Sequence, residues 1–270
     1  MQATDFKYDG RWLSDLGFMI CTFDSSGIEN TTAGSTIAFN SIKQHGGAKF
    51  PLASVEYDEA FTTTFDICKI SNNTFGQDIT LEEYRFLMQW LNRSDYHLFS
   101  LVDNYDDEWS EVYFEGSFNV ERINYGGRLI GLSLTFMSNR PYGFGETITE
   151  TLTLNGQGYT RDIENRSDEL GVLYPDTVRI RCISSGDFEI TNHTYGGTTV
   201  INNCASNEEI VMDSMNQIIY TSNIGHHLYN DFNYNFFKLY RTLSHTNNVI
   251  SSNNPCDITI SYRPIRKVVF

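Results

Sequence analysis

The stretch RLIGLSLTFMS, residues 128–138, alternates large apolar side chains with small or polar ones. Successive side chains of a strand point to opposite faces, so this period of two predicts a half-buried β-strand. The same alternation recurs in FTTTFDICKI at 61–70 and in CDITISYR at 256–263. Together they predict a mostly β protein built from antiparallel sheets with one buried face. The predicted inward faces are Phe61, Thr63, Phe65 and Ile67; Ile130, Leu132, Leu134 and Phe136; and Cys256, Ile258, Ile260 and Tyr262.

Turn signals connect these strands to their neighbours. The tetrapeptide NYGG at 124–127 predicts a hairpin between strands near 112–123 and 128–137. The acidic stretch at 103–109 is predicted to turn between strands near 97–102 and 111–116. Beyond residue 145, short strands separated by polar turns predict a β-sandwich. Those strands are expected near 147–154, 177–183, 187–192, 198–202, 208–213, 217–221, 235–240 and 256–263.

One segment follows a helical period instead. Thr80 and Glu83 form a capping-box pattern, and apolar residues then recur at helical spacing through about residue 92. Phe86 and Trp90 lie off this stripe, which widens the apolar arc beyond that of an ordinary surface helix. We therefore expect a second cover on this side, either a neighbouring subunit or a loop of the same chain. The predicted core stripe is Leu81, Tyr84, Leu87, Met88 and Leu91.

The best domain boundary is NRPYGFG at 139–145, where Pro and Gly follow a strong strand. This predicts a first domain over 1–140 and a second over 141–270. The Gly- and Thr-rich stretch at 25–47 has little strand patterning in its first half. Its length favours an extended arm or loop that meets a partner.

The net charge of −15 is concentrated in residues 1–143, which carry 20 acidic and 10 basic residues. No Lys/Arg cluster is present in the sequence, so binding to nucleic-acid backbones is disfavoured. No apolar run approaches the length of a membrane span, and residues 1–12 contain no signal-peptide core. An acidic surface serves solubility, or it lets DNA pass without sticking.

The sequence predicts no enzyme, no cofactor and no metal site. The usual nucleophile, phosphate-binding and zinc-protease motifs are absent from the sequence. The pair His226-His227 is interpreted as a polar loop, and the acidic stretch from Asp103 as a solvated turn rather than a calcium loop. The cysteines are interpreted as reduced thiols of a reducing compartment, with Cys256 buried on the last strand. The other residues weighed are Asp106, Asp107 and Glu108 for calcium, and Cys21, Cys68, Cys182 and Cys204 as thiols.

The run FKYDGRWLSDLGF at 6–18 resembles the opening of the distal tail proteins of long, non-contractile-tailed phages. It predicts an edge strand that carries Phe6 and Tyr8, a turn at Asp9-Gly10, and a second strand after Gly17. The likeness continues through the helix at 80–91, the LTFMS strand at 134–138, the aromatic stretch at 232–237 and the last strand at 256–263. The positions that carry the opening motif are Phe6, Tyr8, Gly10, Asp15 and Gly17.

This resemblance implies a split β-barrel with one α-helix for the first domain and a galectin-like β-sandwich for the second. It implies a hexameric ring of this chain, with a central channel that DNA crosses without specific binding. The implied partners are the tail tube protein, the tail hub or tail-associated protein, the receptor-binding protein and the tape-measure protein, with no membrane. The protein would be part of the virion, at the tail tip, after assembly in the host cytoplasm. Phe86 and Trp90 would then be candidates for the subunit interface.

Two other interpretations stay open at this point. One is a carbohydrate-binding adhesion module of two β-domains, although Trp12, Trp90 and Trp109 all precede residue 141. The other is a glycoside hydrolase or another β-fold enzyme, because the separation of two catalytic carboxylates is spatial and a sequence does not show it.

Overall fold

The computed structural model describes residues 3–23, 37–42, 52–70, 78–103 and 112–267. Its chain separates into two compact units, Met1–Phe144 with Arg266–Phe270, and Gly145–Ile265. Both units are built from strands, which confirms the predicted fold class. The finer division at 140/141 into independent domains stays a prediction. No helix among the described residues has the length and apolarity needed to span a bilayer.

The first unit is organised around a seven-stranded antiparallel sheet, with strand order β2-β1-β7-β8-β9-β6-β3. Two further strands, β4 and β5, pair with each other outside it. One helix, α1 (Leu81–Leu91), accompanies the sheet. The strands are β1 (Ala3–Tyr8), β2 (Arg11–Trp12), β3 (Phe18–Cys21), β4 (Ile37–Ile42), β5 (Leu52–Tyr57), β6 (Thr62–Lys69), β7 (His97–Asp103), β8 (Phe114–Tyr125), β9 (Arg128–Ser138) and β10 (Gly143–Phe144).

The predicted hairpin is confirmed: β8 and β9 pair in antiparallel register, with Tyr125 opposite Arg128. Gly126 and Gly127 form the turn between them with φ of 59° and 82°. A side chain strains that left-handed backbone, so glycine is the residue that suits it. The alternation of β9 buries Leu132, Leu134 and Phe136, as the sequence predicts. The second predicted turn, at 104–109, lies outside the described residues.

The sheet is open: among the described residues no ladder joins its outer strands β2 and β3. Leu13 lies between these ends; it donates its N–H to the carbonyl of Phe6 and accepts from the N–H of Phe18. Strands β1 and β3 therefore approach each other through a buried leucine instead of a full ladder. The split barrel expected from the resemblance is thus a sheet that does not close.

The second unit contains two facing sheets, with strand orders β11-β21-β14-β17-β18 and β12-β20-β15-β16, and a separate β13-β19 pair. One continuous apolar core is shared by both sheets, as expected for a β-sandwich. Cys256, Ile258, Ile260 and Tyr262 are all buried, which confirms the predicted face of the last long strand. The elements are β11 (Ile148–Asn155), β12 (Thr160–Glu164), β13 (Gly171–Leu173), β14 (Thr177–Cys182), β15 (Gly186–Asn192), β16 (Gly197–Cys204), β17 (Glu209–Asp213), β18 (Ile218–Thr221), α2 (Leu228–Asp231), β19 (Leu239–Arg241), β20 (Asn247–Ser252), β21 (Pro255–Tyr262) and β22 (Ile265–Arg266).

Candidate functional site

The opening motif at 6–18 forms part of the first core. Phe6 and Tyr8 lie on β1 and are fully buried. Gly10 and Gly17 have φ of 77° and 79°, so each ends a turn in the left-handed region. Asp15 lies in the short 3-10 helix between β2 and β3. The motif therefore encodes a folding element. Its strand β1 is not the sheet edge that the sequence indicated, because the two-residue strand β2 lies outside it.

Helix α1 begins where the capping box predicts. The Thr80 hydroxyl accepts from the backbone N–H of Glu83, and the Glu83 carboxylate accepts from the N–H of Thr80. Glu83 also pairs with Lys69 of β6 at 2.7 Å, which ties the first turn of the helix to the sheet. Burial raises the pKa of Glu83, but the Lys69 ammonium and the two Thr80 donors outweigh it and hold that pKa below its usual range.

Trp90 lies in the core of its own unit, with only 6% of its surface exposed. Its ring stacks on Phe6, with centroids 5.7 Å apart and planes 8° from parallel. Its indole N–H donates to the backbone carbonyl of Tyr8 at 3.2 Å. The expectation that Trp90 faces away from the sheet is therefore wrong. The helix is rotated relative to that expectation, so Leu87, Trp90 and Leu91 form its buried face.

The opposite face of α1 is open to solvent. Leu81 is 74% exposed, although the sequence placed it on the core stripe. Phe86 is 39% exposed and, with Leu81, lines a shallow depression on this face. The polar residues of the depression are Glu82, Arg85 and Gln89. Phe86 is thus accessible for a subunit contact, whereas Trp90 is not; the interface role of Phe86 stays a prediction.

Strands β4 and β5 form an antiparallel ribbon with an exposed apolar face. Ile37 lies opposite Tyr57, and Phe39 lies opposite Val55. Directly opposed residues point to the same side, and residues two apart share a face, so all four side chains lie together. Phe39 is 75% exposed, Val55 59% and Ile37 51%. Tyr57 is 38% exposed and makes an edge contact with the ring of Tyr142.

The other face of this ribbon carries a hydrogen-bonded polar cluster. The amide of Asn40 on β4 donates to the carboxylate of Glu56 on β5 at 3.0 Å, and Ser54 donates to the same oxygen at 3.2 Å. A two-stranded ribbon with little other packing is marginal in water, and an exposed apolar patch is a common feature of interaction sites. We call Ile37, Phe39, Val55 and Tyr57 the ribbon face. Part of the predicted arm at 25–47 lies in this ribbon; residues 24–36 and 43–51 lie outside the described residues.

The second unit carries an aromatic groove beside α2. Tyr229 and Tyr234 are largely exposed on its rim, and Tyr220 of β18 faces it. Phe232 and Phe236 form its base, with ring centroids 5.1 Å apart. These tyrosines were not among the residues predicted for a carbohydrate site, since only the three tryptophans, all before residue 141, were weighed there. The signal was present in the aromatic stretch at 232–237.

The other residues weighed as metal ligands or reactive thiols are the histidine pair, the acidic stretch at 103–109 and the five cysteines. His226 and His227 lie in the loop between β18 and α2, as expected, but the side chain of His226 is buried against Glu208 while His227 is exposed. Asp103 ends β7, while Asp106, Asp107, Glu108 and Trp109 lie outside the described residues. The described structure holds Cys182, Cys204 and Cys256 buried and Cys21 and Cys68 half-buried, all as free thiols.

Comparison with known proteins yields two family matches. A model described as the phage tail protein N-terminal domain matches residues 1–140, and one described as the phage tail C-terminal domain matches residues 142–262. A search of the curated proteins found no match.

The solved structures that match this chain include two from phages. One is the Dit (gp 19.1) protein of phage SPP1, described as a paradigm of the hub adsorption apparatus in phages that infect Gram-positive bacteria. It has a TM-score of 0.64 and 14% sequence identity, over 96% of this chain and 98% of that one. The other is from the activated baseplate of phage p2, with a TM-score of 0.43, 10% identity, and coverage of 95% and 97%. The SPP1 likeness, at this low identity, is a likeness of fold.

Proposed function

Because this chain belongs to the phage tail protein family whose N- and C-terminal domains match it, we propose that it is a distal tail protein. It is a structural component of the phage tail with a Dit-like fold. In the proposed role, six copies form a closed ring through the first unit. The ring joins the tail tube to the hub and receptor-binding apparatus, and DNA passes through its channel.

The ribbon face is the observation that carries this proposal. Its four apolar side chains project from a ribbon that the seven-stranded sheet does not include. A ring needs a heterologous interface, in which one surface patch of each copy meets a different patch of the next. The proposed occupant of the ribbon face is therefore a second copy of this chain. The exposed side of α1 around Phe86 is the proposed receiving surface, because it also offers apolar area beside polar groups.

Charge supports the proposed channel. Residues 1–143 carry a twofold excess of acidic over basic residues. In the described part of this unit, Lys69, Arg93 and Arg140 each meet a carboxylate, which offsets their positive charge. A wall of this composition repels the phosphate backbone and lets DNA move without a bound state.

The test compares two single substitutions at neighbouring positions of β4. Phe39→Lys places a charge in the ribbon face, and Asn40→Lys places the same charge on the opposite face of the ribbon. An aromatic anchor in a protein interface contributes about 2 kcal/mol or more, or about 30-fold in each contact. We expect Phe39→Lys to abolish the ring in light scattering and electron microscopy, while Asn40→Lys retains it. The proposal would be contradicted if the Phe39→Lys variant still formed a ring. It would also be contradicted if the wild-type chain remained a monomer in the presence of its hub partner.

A second candidate function is carbohydrate binding by the aromatic groove. Tyr229 and Tyr234 are exposed, as needed for stacking on sugar rings, and the packed rings of Phe232 and Phe236 line the bottom of the groove. A glycan array with the wild-type chain and a Tyr229→Ala variant tests it. Glycan binding by the wild-type chain that is lost in Tyr229→Ala would support carbohydrate binding. An array without binding by the wild-type chain would contradict it.

A further inference from the structure

A buried cluster of three metal-binding side chain types lies in the second unit. Cys204 ends β16, Glu208 precedes β17, and His226 precedes α2. All three residues are buried, and the side chains of Glu208 and His226 are 0% and 2% exposed. One potential ligand atom from each lies within 4.8 Å of the other two. Three chain segments thus bring a sulfur, an oxygen and a nitrogen to one point.

The carboxylate of Glu208 is oriented by its surroundings. One oxygen accepts from the backbone N–H of Ala205 at 2.7 Å. The other accepts from the hydroxyl of Thr221 and lies 2.5 Å from Nδ1 of His226. A buried carboxylate needs a compensating charge, and the partner that the described residues supply is the imidazole of His226, which compensates it only when protonated.

The imidazole of His226 is arranged as in a carboxylate–histidine–metal triad. Its Nε2 is buried, makes no hydrogen bond among the described residues, and lies 3.5 Å from Oδ2 of Asp231. The other Asp231 oxygen accepts from the side chain of Asn203 at 2.7 Å, which holds the carboxylate in place. In metal sites such an outer carboxylate accepts a hydrogen bond from the second ring nitrogen, and Asp231 is placed to do so when Nε2 carries the proton. That arrangement leaves Nδ1 directed toward Glu208 and Cys204.

The sulfur of Cys204 decides which cation fits. Its contacts to the carbonyls of Ile201 and Asn202 are long, at 3.6 and 3.9 Å. Thiolate is a poor ligand for magnesium and calcium, whereas sulfur, imidazole and carboxylate together suit zinc. Cys182 lies in contact with Cys204 and is the nearest further thiol.

We propose that Cys204, Glu208 and His226 bind a zinc ion that joins the β16–β17 connection to the segment before α2. The fourth, tetrahedral position falls to Cys182 or a water molecule. Binding converts the Cys204 thiol to a thiolate and releases its proton to solvent. The proton between Nδ1 of His226 and the Glu208 carboxylate also leaves that contact, and the neutral imidazole carries its remaining proton on Nε2, beside Asp231. The ion replaces the short contact between His226 and Glu208 by two metal bonds, and it compensates the buried carboxylate. The site anchors the segment that leads into α2, because α2 begins two residues after His226. Residues of α2 line the aromatic groove, so the ion would stabilise one side of that groove.

The experiment uses the full chain purified without chelator from cells supplied with zinc. Elemental analysis is expected to find a single zinc ion per chain, and a chelator is expected to lower the melting temperature, with recovery on adding zinc. Cobalt substitution is expected to produce thiolate-to-cobalt charge-transfer absorption. Cys204→Ala and His226→Gln should lose the metal, while Cys68→Ala, in the other unit, should retain it.

Two results would overturn the proposal. One is a zinc-free chain whose melting temperature is the same with chelator and with added zinc, which leaves the cluster as a buried histidine–glutamate ion pair. The other is equal zinc content in wild type and in Cys204→Ala. If either variant fails to fold, the chelator and cobalt measurements on wild type still decide. Ring formation is measured separately, because the proposed ring and the proposed zinc site depend on different units.

Discussion

Replacing Trp90 by alanine is expected to destabilise the first unit as a core truncation does. A tryptophan side chain buries about 200 Å², and about 25 cal/mol per Å² gives a transfer contribution of about 5 kcal/mol. Measured aromatic-to-alanine changes in cores cost about 3–5 kcal/mol. The stacking on Phe6 and the hydrogen bond to the Tyr8 carbonyl are lost together. The free energy of unfolding of a whole domain is only about 5–15 kcal/mol, so this loss is a large part of it.

Two variants of the same helix separate packing from assembly. Trp90→Phe keeps a ring beside Phe6 but removes the indole donor, and we expect a loss of about 1–2 kcal/mol. Phe86→Ala removes a partly exposed ring, and we expect a loss of about 1 kcal/mol in the isolated chain. In the proposed ring, Phe86→Ala should weaken assembly while the fold is retained.

The assay is urea unfolding followed by intrinsic fluorescence and circular dichroism, with light scattering at the same protein concentrations. Agreement of the two optical signals checks that unfolding of the unit is cooperative. A loss for Trp90→Ala no larger than that for Phe86→Ala would refute the reasoning. So would a Trp90→Ala chain that keeps its stability but loses only the ring, because that result would place Trp90 at the subunit contact.

Three further changes test other contacts of the structure. Gly116→Ala should destabilise the first unit by about 1–3 kcal/mol in urea unfolding, because the new Cβ would lie 2.3 Å from the backbone oxygen of Met137. Thr80→Ala should cost about 1 kcal/mol and reduce helical circular dichroism, because the capping box at α1 is lost. In NMR titration, the pKa of Asp9 should lie below the ordinary aspartate value of about 3.9, because the hydrogen bond from Arg93 favours the ionised form. The variant Arg93→Leu should raise the pKa of Asp9. Since the pKa of Asp9 is lower in the folded state, the stability it contributes is present above about pH 4 and is lost as the pH falls through the folded-state pKa.

Each of these three has a matched control. Gly225→Ala, with nothing nearer than 3.5 Å to the new Cβ, should leave stability unchanged within about 0.5 kcal/mol. Glu82→Ala changes the same first turn of α1 without removing the cap. Lys7→Leu removes a basic residue that does not pair with Asp9 and should leave the Asp9 titration in place. Equal effects of a test variant and its control would show that the named contact is not the cause.

Local patterns of the sequence determined the strands, the helix start and the family. The alternation at 128–138 defines β9 from end to end, because the period of two depends only on which residues face water. Thr80 and Glu83 located the start of α1, because a capping box satisfies donors within one turn of chain. The resemblance carried by residues 6–18 to the distal tail proteins is confirmed by the family matches and the fold.

Contacts between distant segments were decided only by the tertiary structure. The wide apolar arc of α1 did not reveal which part meets the sheet; the position of Phe6 and Tyr8 on β1 selects Trp90. Strand β20 escaped prediction because polar Asn248 and Ser252 occupy its inward positions, so its sequence lacks the apolar alternation. The cluster of Cys204, Glu208 and His226 is assembled from three segments, and its burial comes from the packing of the sandwich around it. Its chemistry was therefore absent from every local motif: spacing along the chain reports neighbours within a strand or a turn, and the fold alone sets the distances between elements.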